Sequence, residues 1–236
     1  MEIWDQCAFH FDLADLAGRE CYGGLDLAST RDMTAFVLCF PPLDEEDKYI
    51  FLPFFWLPED SMEKRVTKDH VPYDQWKAAG FLETTDGAVI NYKFVEARIM
   101  ALAETYEIKE IAFDRYGAHL LRQSLEDAGL NMIKLGQGFV SMSPPSKELM
   151  RLVLERRIAH GGNPILRWNM DNIVVREDEA GNIKPDKKRA TEKIDGAVAA
   201  IMALDRAILH ENHDSVYKDR GVLIIDINHP KGYYYT

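Results

Sequence analysis

The chain has 236 residues, 47% of them hydrophobic, which fits one α/β domain with a sizeable buried core, with or without extensions. Its 39 acidic and 28 basic residues give a net charge of −11, which taken alone argues against a nucleic-acid partner. No apolar run approaches the roughly 20 residues of a membrane helix, and the acidic start shows no signal peptide. Since the three cysteines form no CxxC pair, we expect reduced thiols in a cytoplasmic protein.

The first half of the chain is predicted to form a three-stranded antiparallel meander. After an entry segment, residues 1–20, apolar runs at about 21–28, 33–40 and 48–56 have the length and composition of strands. The link over residues 29–32 is so short that the first two strands must be antiparallel neighbours.

Helices and strands then alternate. A polar helix is predicted over residues 58–79, followed by a helix over 92–106, a strand over 108–113, a helix that ends at Gly129 and a strand over 131–135. This order predicts parallel strands joined by right-handed crossovers. The whole pattern therefore indicates a mixed α/β sheet flanked by helices.

The last third is predicted to contain two helices with a hairpin between them. Residues 143–146 cap a helix that runs to His160, residues 177–182 form the tip of the hairpin, and an apolar helix runs from about 191 to 209. We predict that the chain divides into an entry segment (residues 1–20), a domain (21–210) and a C-terminal tail (211–236).

Three aspartates lie inside or at the ends of apolar elements. Asp26 falls in the middle of the first strand, Asp114 closes the strand over 108–113, and Asp195 opens the last helix. A carboxylate in an apolar element is costly unless its charge is compensated, and polar sites form beyond the carboxyl ends of parallel strands. We therefore predict that the three converge on one or two divalent ions. Oxygen ligands suit Mg²⁺ or Mn²⁺, and no His or Cys pair has the spacing of zinc ligands.

Each aspartate also has a plainer explanation. Asp26 could be a turn or strand-end residue, although its predicted position inside the strand argues against this. Asp114 could cap the helix that follows it, and Asp195 could favour the dipole of its own helix. The prediction of a site therefore depends on the three together. Asp32, in the first loop, could also contact a metal ion, or it could serve only a tight turn.

A basic segment precedes the last helix. Residues 184–193 hold five basic residues against two acidic ones. Lys187, Lys188, Arg189 and Lys193 are our candidates for contacts with a DNA backbone, because a local basic segment can bind phosphate even in an acidic protein. The alternative is an ordinary solvated face.

At these residues the chain resembles the nuclease domain of the tailed-phage terminase large subunit. The resemblance lies in residues 23–32, 112–116, 181–188 and 193–199 and extends over about residues 20–210. Further similarity lies in three intervening stretches, at 136–139, 145–148 and 160–168. It implies a ribonuclease H-like fold and a divalent-metal endonuclease that cuts concatemeric viral DNA during genome packaging.

The resemblance also implies roles and partners. Asp26, Asp114 and Asp195 take the positions of the family's acidic triad. Asp26 would bridge two ions, Asp195 would hold the ion that activates water, and Asp114 the ion at the leaving 3′ oxygen. The implied partners are double-stranded DNA, a packaging ATPase domain, the small terminase subunit and the portal. Because the sequence contains no GxxxxGK[ST] phosphate loop, it resembles the nuclease half alone and no motor activity is expected.

Two other classes of function are compatible with the sequence. Residues 26–30 superficially match the Asp-x-Gly-Thr phosphate turn of actin-like and sugar-kinase ATPases, although Ala28 stands where that turn needs glycine. The other alternative is a non-catalytic DNA-docking or assembly module with the same fold. Metal-dependent cleavage of DNA would distinguish the nuclease from both.

Overall fold

The computed structural model describes residues 1–27, 33–44, 46–62, 66, 71–114 and 119–219. Within these ranges the strands are β1 (Glu20–Asp26), β2 (Thr34–Phe40), β3 (Tyr49–Pro58), β4 (Glu83–Thr85), β5 (Glu107–Phe113), β6 (Met132–Lys134), β7 (Ile158–Ala159), β8 (Val175–Glu177) and β9 (Ile183–Pro185). The helices are α1 (Glu2–Asp5), α2 (Tyr73–Ala78), α3 (Tyr92–Thr105), α4 (His119–Asp127), α5 (Phe139–Leu154), α6 (Pro164–Asp171) and α7 (Asp195–Asp219). A 3₁₀ turn covers Leu13–Leu16.

The main sheet has the strand order β4-β3-β2-β1-β5-β6, with β7 paired to β3. The β1–β2 and β2–β3 pairs are antiparallel, whereas β1–β5 and β5–β6 are parallel. The predicted meander and the predicted parallel half are therefore both confirmed. The β8–β9 pair forms a separate antiparallel hairpin, as predicted.

The sheet lies between two layers of helices. Helices α5, α6 and α7 share one hydrophobic core with the meander, and α3 and α4 share a second core on the opposite face. This confirms the predicted mixed α/β sheet flanked by helices. None of the helices in the described ranges combines the length and hydropathy needed to cross a lipid bilayer.

The helix predicted to start at residues 143–146 was placed wrongly. It begins at Phe139 and ends at Leu154, with Pro144 and Pro145 inside it. Burial of the neighbouring Met142 and Ser143 offsets the two backbone bonds that the prolines cannot donate.

The end of the same helix was also placed wrongly, because it does not reach His160. Arg156 adopts a left-handed backbone conformation with φ 55°, which ends the helix. The following Ile158–Ala159 then pairs as β7 with β3.

Two other helix predictions need correction. The polar helix predicted over residues 58–79 is present only in part. Strand β3 extends to Pro58, residues 59–62 are helical, and α2 starts anew after Pro72, while most residues between them lie outside the described ranges. The final helix begins at Asp195, four residues later than predicted, and continues to Asp219.

Candidate active site

The alternation of β1 places Asp26 on the face of the sheet that α7 covers. Tyr22 contributes to the core beneath α7, whereas Cys21 and Leu25 contribute to the opposite core. Since side chains alternate along a strand, Gly24 and Asp26 lie on the same face as Tyr22. The predicted mid-strand position of Asp26 was wrong: it is the last residue of β1, so its carboxylate lies at the end of this buried strand.

The parallel neighbour β5 brings Asp114 to the same edge. Ala112 packs into the core beneath α7, and continued alternation places Asp114 on that same face. Leu25 is paired in register with Phe113, so Asp26 and Asp114 occupy neighbouring positions at the carboxyl ends of two parallel strands. Asp114 is half-buried.

Helix α7 brings the third carboxylate to this edge because it packs directly on the backbone of β1. A Cβ atom at Gly24 would lie 2.0 Å from the carbonyl oxygen of Ala199 and 2.7 Å from the amide nitrogen of Ala203. Only glycine fits this approach. Asp195, the first residue of α7, is consequently buried beside the end of β1, with 9% of its surface exposed.

A buried asparagine fixes the start of α7. The side-chain Oδ1 of Asn169, on α6, accepts a hydrogen bond of 2.7 Å from the backbone N–H of Gly196. Its Nδ2 donates to the carbonyl of Ile165 at 3.0 Å. A Cβ atom at Gly196 would lie 2.5 Å from the ring of Phe55, so this position also needs glycine. Sequence reasoning did not identify Asn169, because its role depends on a contact between distant helices.

Lys187 links two of the three aspartates. Its Nζ donates one hydrogen bond to Asp26 Oδ2 and a second one, of 3.2 Å, to Asp195 Oδ1. The side-chain amide of Gln137 lies 3.4 Å from Asp26 Oδ1. The sequence pattern around Gln137 indicated a family resemblance but no role for this residue, and Lys187 was expected to face DNA rather than the carboxylates.

The charges at this edge influence one another. Burial raises the pKa of Asp26 to about 7; the Lys187 ammonium opposes this rise, and the charges of Asp195 and Asp114 add to it. Burial alone would lower the pKa of Lys187. The negative charges of Asp26 and Asp195 raise this pKa by more, so the net shift is upward.

The three carboxylates do not form a finished ligand shell in this conformation. Among the residues that the structure describes, no three His, Cys, Asp or Glu side chains form a group that could hold a metal ion. A cation nevertheless lies between two of them, because the Lys187 ammonium contacts both Asp26 and Asp195. The two buried carboxylates require a positive partner, and both offer oxygen ligands. They therefore fit a divalent ion such as Mg²⁺ or Mn²⁺. Asp32 lies outside the described residues.

The predicted DNA contacts differ in exposure. Lys188 is exposed, and Arg189 is 72% exposed with an ion pair to Asp186 at 3.7 Å. Lys193 is half-buried. Two further cations lie on the β8–β9 hairpin: Lys184, which opens the predicted basic segment, and Arg176, which the sequence did not indicate. They lie against the ring of Phe139, at 5.3 and 5.8 Å from its centre. Lys184 Nζ also donates to the carbonyl of Gln137 at 2.9 Å, which ties the hairpin to the carboxylate edge.

Comparisons with known proteins identify a family and several relatives. Residues 1–211 match the family described as terminase large subunit, endonuclease domain. The chain is 37% identical over 209 residues to the terminase large subunit of Enterobacteria phage HK97, covering 87% of this chain and 40% of the relative. It is 33% identical over 224 residues to protein YmfN of Escherichia coli K12, covering 90% of this chain and 49% of the relative. The chain thus spans less than half the length of these two relatives.

Solved structures show the same architecture. The large terminase of bacteriophage HK97 superposes with a TM-score of 0.80 at 36% identity, over 87% of this chain and 42% of that one. The large terminase nuclease of thermophilic phage G20c, in a crystal structure with bound magnesium, superposes with a TM-score of 0.52 at 15% identity, over 80% and 84% of the two chains. These likenesses confirm the predicted ribonuclease H-like fold.

Proposed function

Because this chain belongs to the terminase large-subunit endonuclease family, we propose that it is a divalent-metal-dependent endonuclease. Its substrate is double-stranded DNA, and its task is to cut concatemeric viral DNA during genome packaging in the host cytoplasm. The packaging ATPase, the small terminase subunit and the portal would be its partners in the complete system. The actin-like or sugar-kinase alternative has no observation in its favour once this family is established.

One observation supports the proposal: Asp26 and Asp195, from separate elements, meet on the ammonium of Lys187 at the carboxyl edge of the parallel strands, and Asp114 follows the neighbouring strand at the same edge. Asp26 and Asp114 are neighbours across β1 and β5, and Asp195 begins the helix packed on β1. Asp26 is only 2% exposed, so its negative charge needs a cation nearby. A strand end that served only a turn would not require this burial.

The proposed metal ligands are Asp26, Asp114 and Asp195, in one or two ion sites. A divalent cation held there supplies a positive charge for the phosphate oxygens and lowers the pKa of a bound water. The protein itself orients these ligands. Gln137 holds one oxygen of Asp26, and Asn169 fixes the backbone next to Asp195. The proposal also gives the carboxylates separate roles: one bridges two ions, and another holds the ion that activates water.

The basic segment beside the carboxylates is the proposed DNA contact. Lys188 and Arg189 are exposed next to the site, and Arg176 and Lys184 extend the positive surface along the hairpin. Contacts of this kind recognise phosphate rather than base sequence, so binding should be largely independent of sequence and weaken steeply with salt. Lys193 completes the proposed set.

The direct test is nicking of supercoiled plasmid in Mn²⁺, Mg²⁺ or EDTA. We expect cleavage with either metal and none with EDTA. Asp26→Asn and Asp195→Asn should each lower the rate by about a hundredfold or more, because they remove several kcal/mol of electrostatic stabilisation. Asp127→Asn, at an exposed position on α4, is the matched control and should cleave like the unaltered chain.

Calorimetric titration with Mn²⁺ completes this test. The unaltered chain should bind the ion, and Asp26→Asn should bind it much more weakly while retaining its circular dichroism spectrum. A chain that neither cleaves DNA in any of these metals nor binds them through Asp26 would instead be the non-catalytic docking module.

A further inference from the structure

The ammonium of Lys187 contacts both Asp26 and Asp195, at the place where the proposed function puts a metal ion. We propose that Lys187 is an internal counter-ion that a divalent cation must displace, and that the displaced ammonium then binds a DNA phosphate. Metal and DNA would consequently bind with positive coupling. This inference rests on the proposed function and adds a step that regulates how a metal ion enters the site.

The burial of the carboxylates explains why a counter-ion is needed. Asp26 is 2% exposed and Asp195 is 9% exposed, so two negative charges would face each other in a poorly hydrated place. Hydrogen bonds from one ammonium to both carboxylates relieve this repulsion. Lys187 thereby holds the site in order without a metal, and any incoming cation must compete with it.

The side chain of Lys187 is able to leave. It is 38% exposed despite its inward contacts, and lysine has a flexible four-carbon stem. A divalent ion between Asp26 and Asp195 would repel an ammonium at the same position, so the two cations exclude each other. The displaced Nζ would emerge in a basic segment, next to the exposed Lys188 and Arg189.

Positive coupling between metal binding and DNA binding follows from this exchange of the Lys187 ammonium for a divalent ion. When Lys187 leaves the carboxylates it loses two charge-assisted hydrogen bonds, which weakens metal binding in the absence of DNA. A phosphate beside the basic segment gives the ammonium a new partner, so DNA lowers the cost of displacement. By linkage, bound metal must raise the affinity for DNA by the same factor.

The experiment compares Lys187→Met with the matched control Lys93→Met, which removes the same charge from an exposed position on α3. Mn²⁺ is titrated by calorimetry without DNA, and thermal unfolding is followed in EDTA. Lys187→Met should bind Mn²⁺ tighter by on the order of tenfold, since a charge-assisted contact no longer has to be broken. It should also unfold at a lower temperature in EDTA, whereas Lys93→Met should match the unaltered chain in both measurements.

A second titration tests the coupling. Ca²⁺, chosen to avoid cleavage, is titrated with and without a short DNA duplex. The duplex should raise the Ca²⁺ affinity of the unaltered chain several-fold and that of Lys187→Met much less. If Lys187→Met does not fold, Lys187→Gln retains a donor without the charge and serves in its place.

The outcomes separate this inference from the proposed function. Mn²⁺ affinity in Lys187→Met that is equal to or weaker than that of the unaltered chain overturns the counter-ion role and leaves the nuclease proposal intact. Mn²⁺ binding that Asp26→Asn leaves unchanged rejects the metal site itself, and the counter-ion role with it.

Discussion

Gly24 of β1 lies against the backbone of Ala199 in α7, so closely that a Cβ atom on the glycine would be 2.0 Å from the alanine carbonyl oxygen. The strand that ends in Asp26 and the helix that begins with Asp195 therefore meet without side chains between them. This contact sets the separation of the two carboxylates. It is also the point at which a small change in sequence should have a large effect.

Gly24→Ala should destabilise the fold by about 3 kcal/mol or more, because backbone atoms rather than a flexible side chain oppose the added methyl group. Urea unfolding followed by circular dichroism measures this loss. Gly138→Ala is the matched control: Gly138 has φ −86°, and a methyl group added there would meet open space. The control should change stability by no more than about 0.5 kcal/mol. Equal stabilities for the two variants would mean that α7 does not pack on β1 this tightly.

Asn169→Ala should cost about 1–3 kcal/mol of stability, since the buried N–H of Gly196 loses its acceptor. It should also weaken Mn²⁺ binding, because Asp195 is the residue before Gly196. Asn172→Ala, which removes a half-buried hydrogen bond to the carbonyl of Trp168, is the control and should leave Mn²⁺ binding unchanged. Lower stability with unaltered Mn²⁺ affinity would limit Asn169 to a structural role.

The affinity for Mn²⁺ should depend on pH through Asp26. Burial raises its pKa to about 7, and a protonated carboxyl cannot act as a ligand. Below pH 7 protons compete with the metal, so the affinity should fall by up to about tenfold per pH unit, and above about pH 8 it should level off. Calorimetric titrations at several pH values test this. A constant affinity between about pH 6 and pH 8 would contradict the raised pKa.

His160 should make the fold sensitive to acid. Burial lowers the pKa of this histidine, whose Nε2 lies 2.8 Å from the carbonyl of Trp4 and whose Nδ1 accepts from the N–H of Gly162. Its folded pKa lies below the unfolded value of about 6.5, so the unfolded chain binds more protons between the two values. The stability that this group contributes is complete above about pH 6.5 and falls as pH drops, by at most about 1.4 kcal/mol per pH unit.

The measurement is urea unfolding of the unaltered chain and of His160→Gln at several pH values. The difference in pH dependence between the two proteins isolates the contribution of His160 from that of Asp26. The raised pKa of Asp26 changes stability with pH in the opposite direction. His160→Gln should show a smaller loss of stability between about pH 7 and pH 5. Identical pH dependence in both proteins would assign the acid sensitivity to other groups.

DNA binding should respond to the exposed cations. Lys188→Ala and Arg189→Ala should each weaken binding to unrelated duplexes by a similar factor and reduce the salt dependence by about one phosphate contact. Fluorescence anisotropy over a range of salt concentrations measures both effects. Lys109→Ala, at the other end of β5 and paired with Glu107, is the control and should bind as the unaltered chain does. A change confined to one DNA sequence would indicate base recognition instead.

The sheet could be predicted because its signals are local. The apolar runs of the first half have the length of strands, and the short link between the first two permits only an antiparallel pair. That Asp26 and Asp114 lie at one edge of the sheet could also be expected, because the carboxyl ends of parallel strands meet there. The predicted start of the last helix, by contrast, was four residues too early, because Asn169 on another helix fixes it.

The side-chain network of the site could not be predicted in the same way. Lys187 is followed by two more basic residues, Lys188 and Arg189, and nothing local distinguishes the one that turns inward. Its direction depends on the buried charge of Asp26, which is 161 positions away. The helix with Pro144 and Pro145 inside it likewise contradicts local propensity, because packing of its first turns outweighs the lost backbone bonds.

Helix α7 packs through small residues, with Ala197, Ala199, Ala200 and Ala203 all buried. Volume added at 199 or 203 has no room on β1, where Gly24 is already the smallest residue available. A larger side chain on this buried face of α7 therefore cannot be compensated by a smaller residue on β1. A bulkier residue here would push α7 away from β1 and so change the spacing of the carboxylates at its start and at the end of the strand.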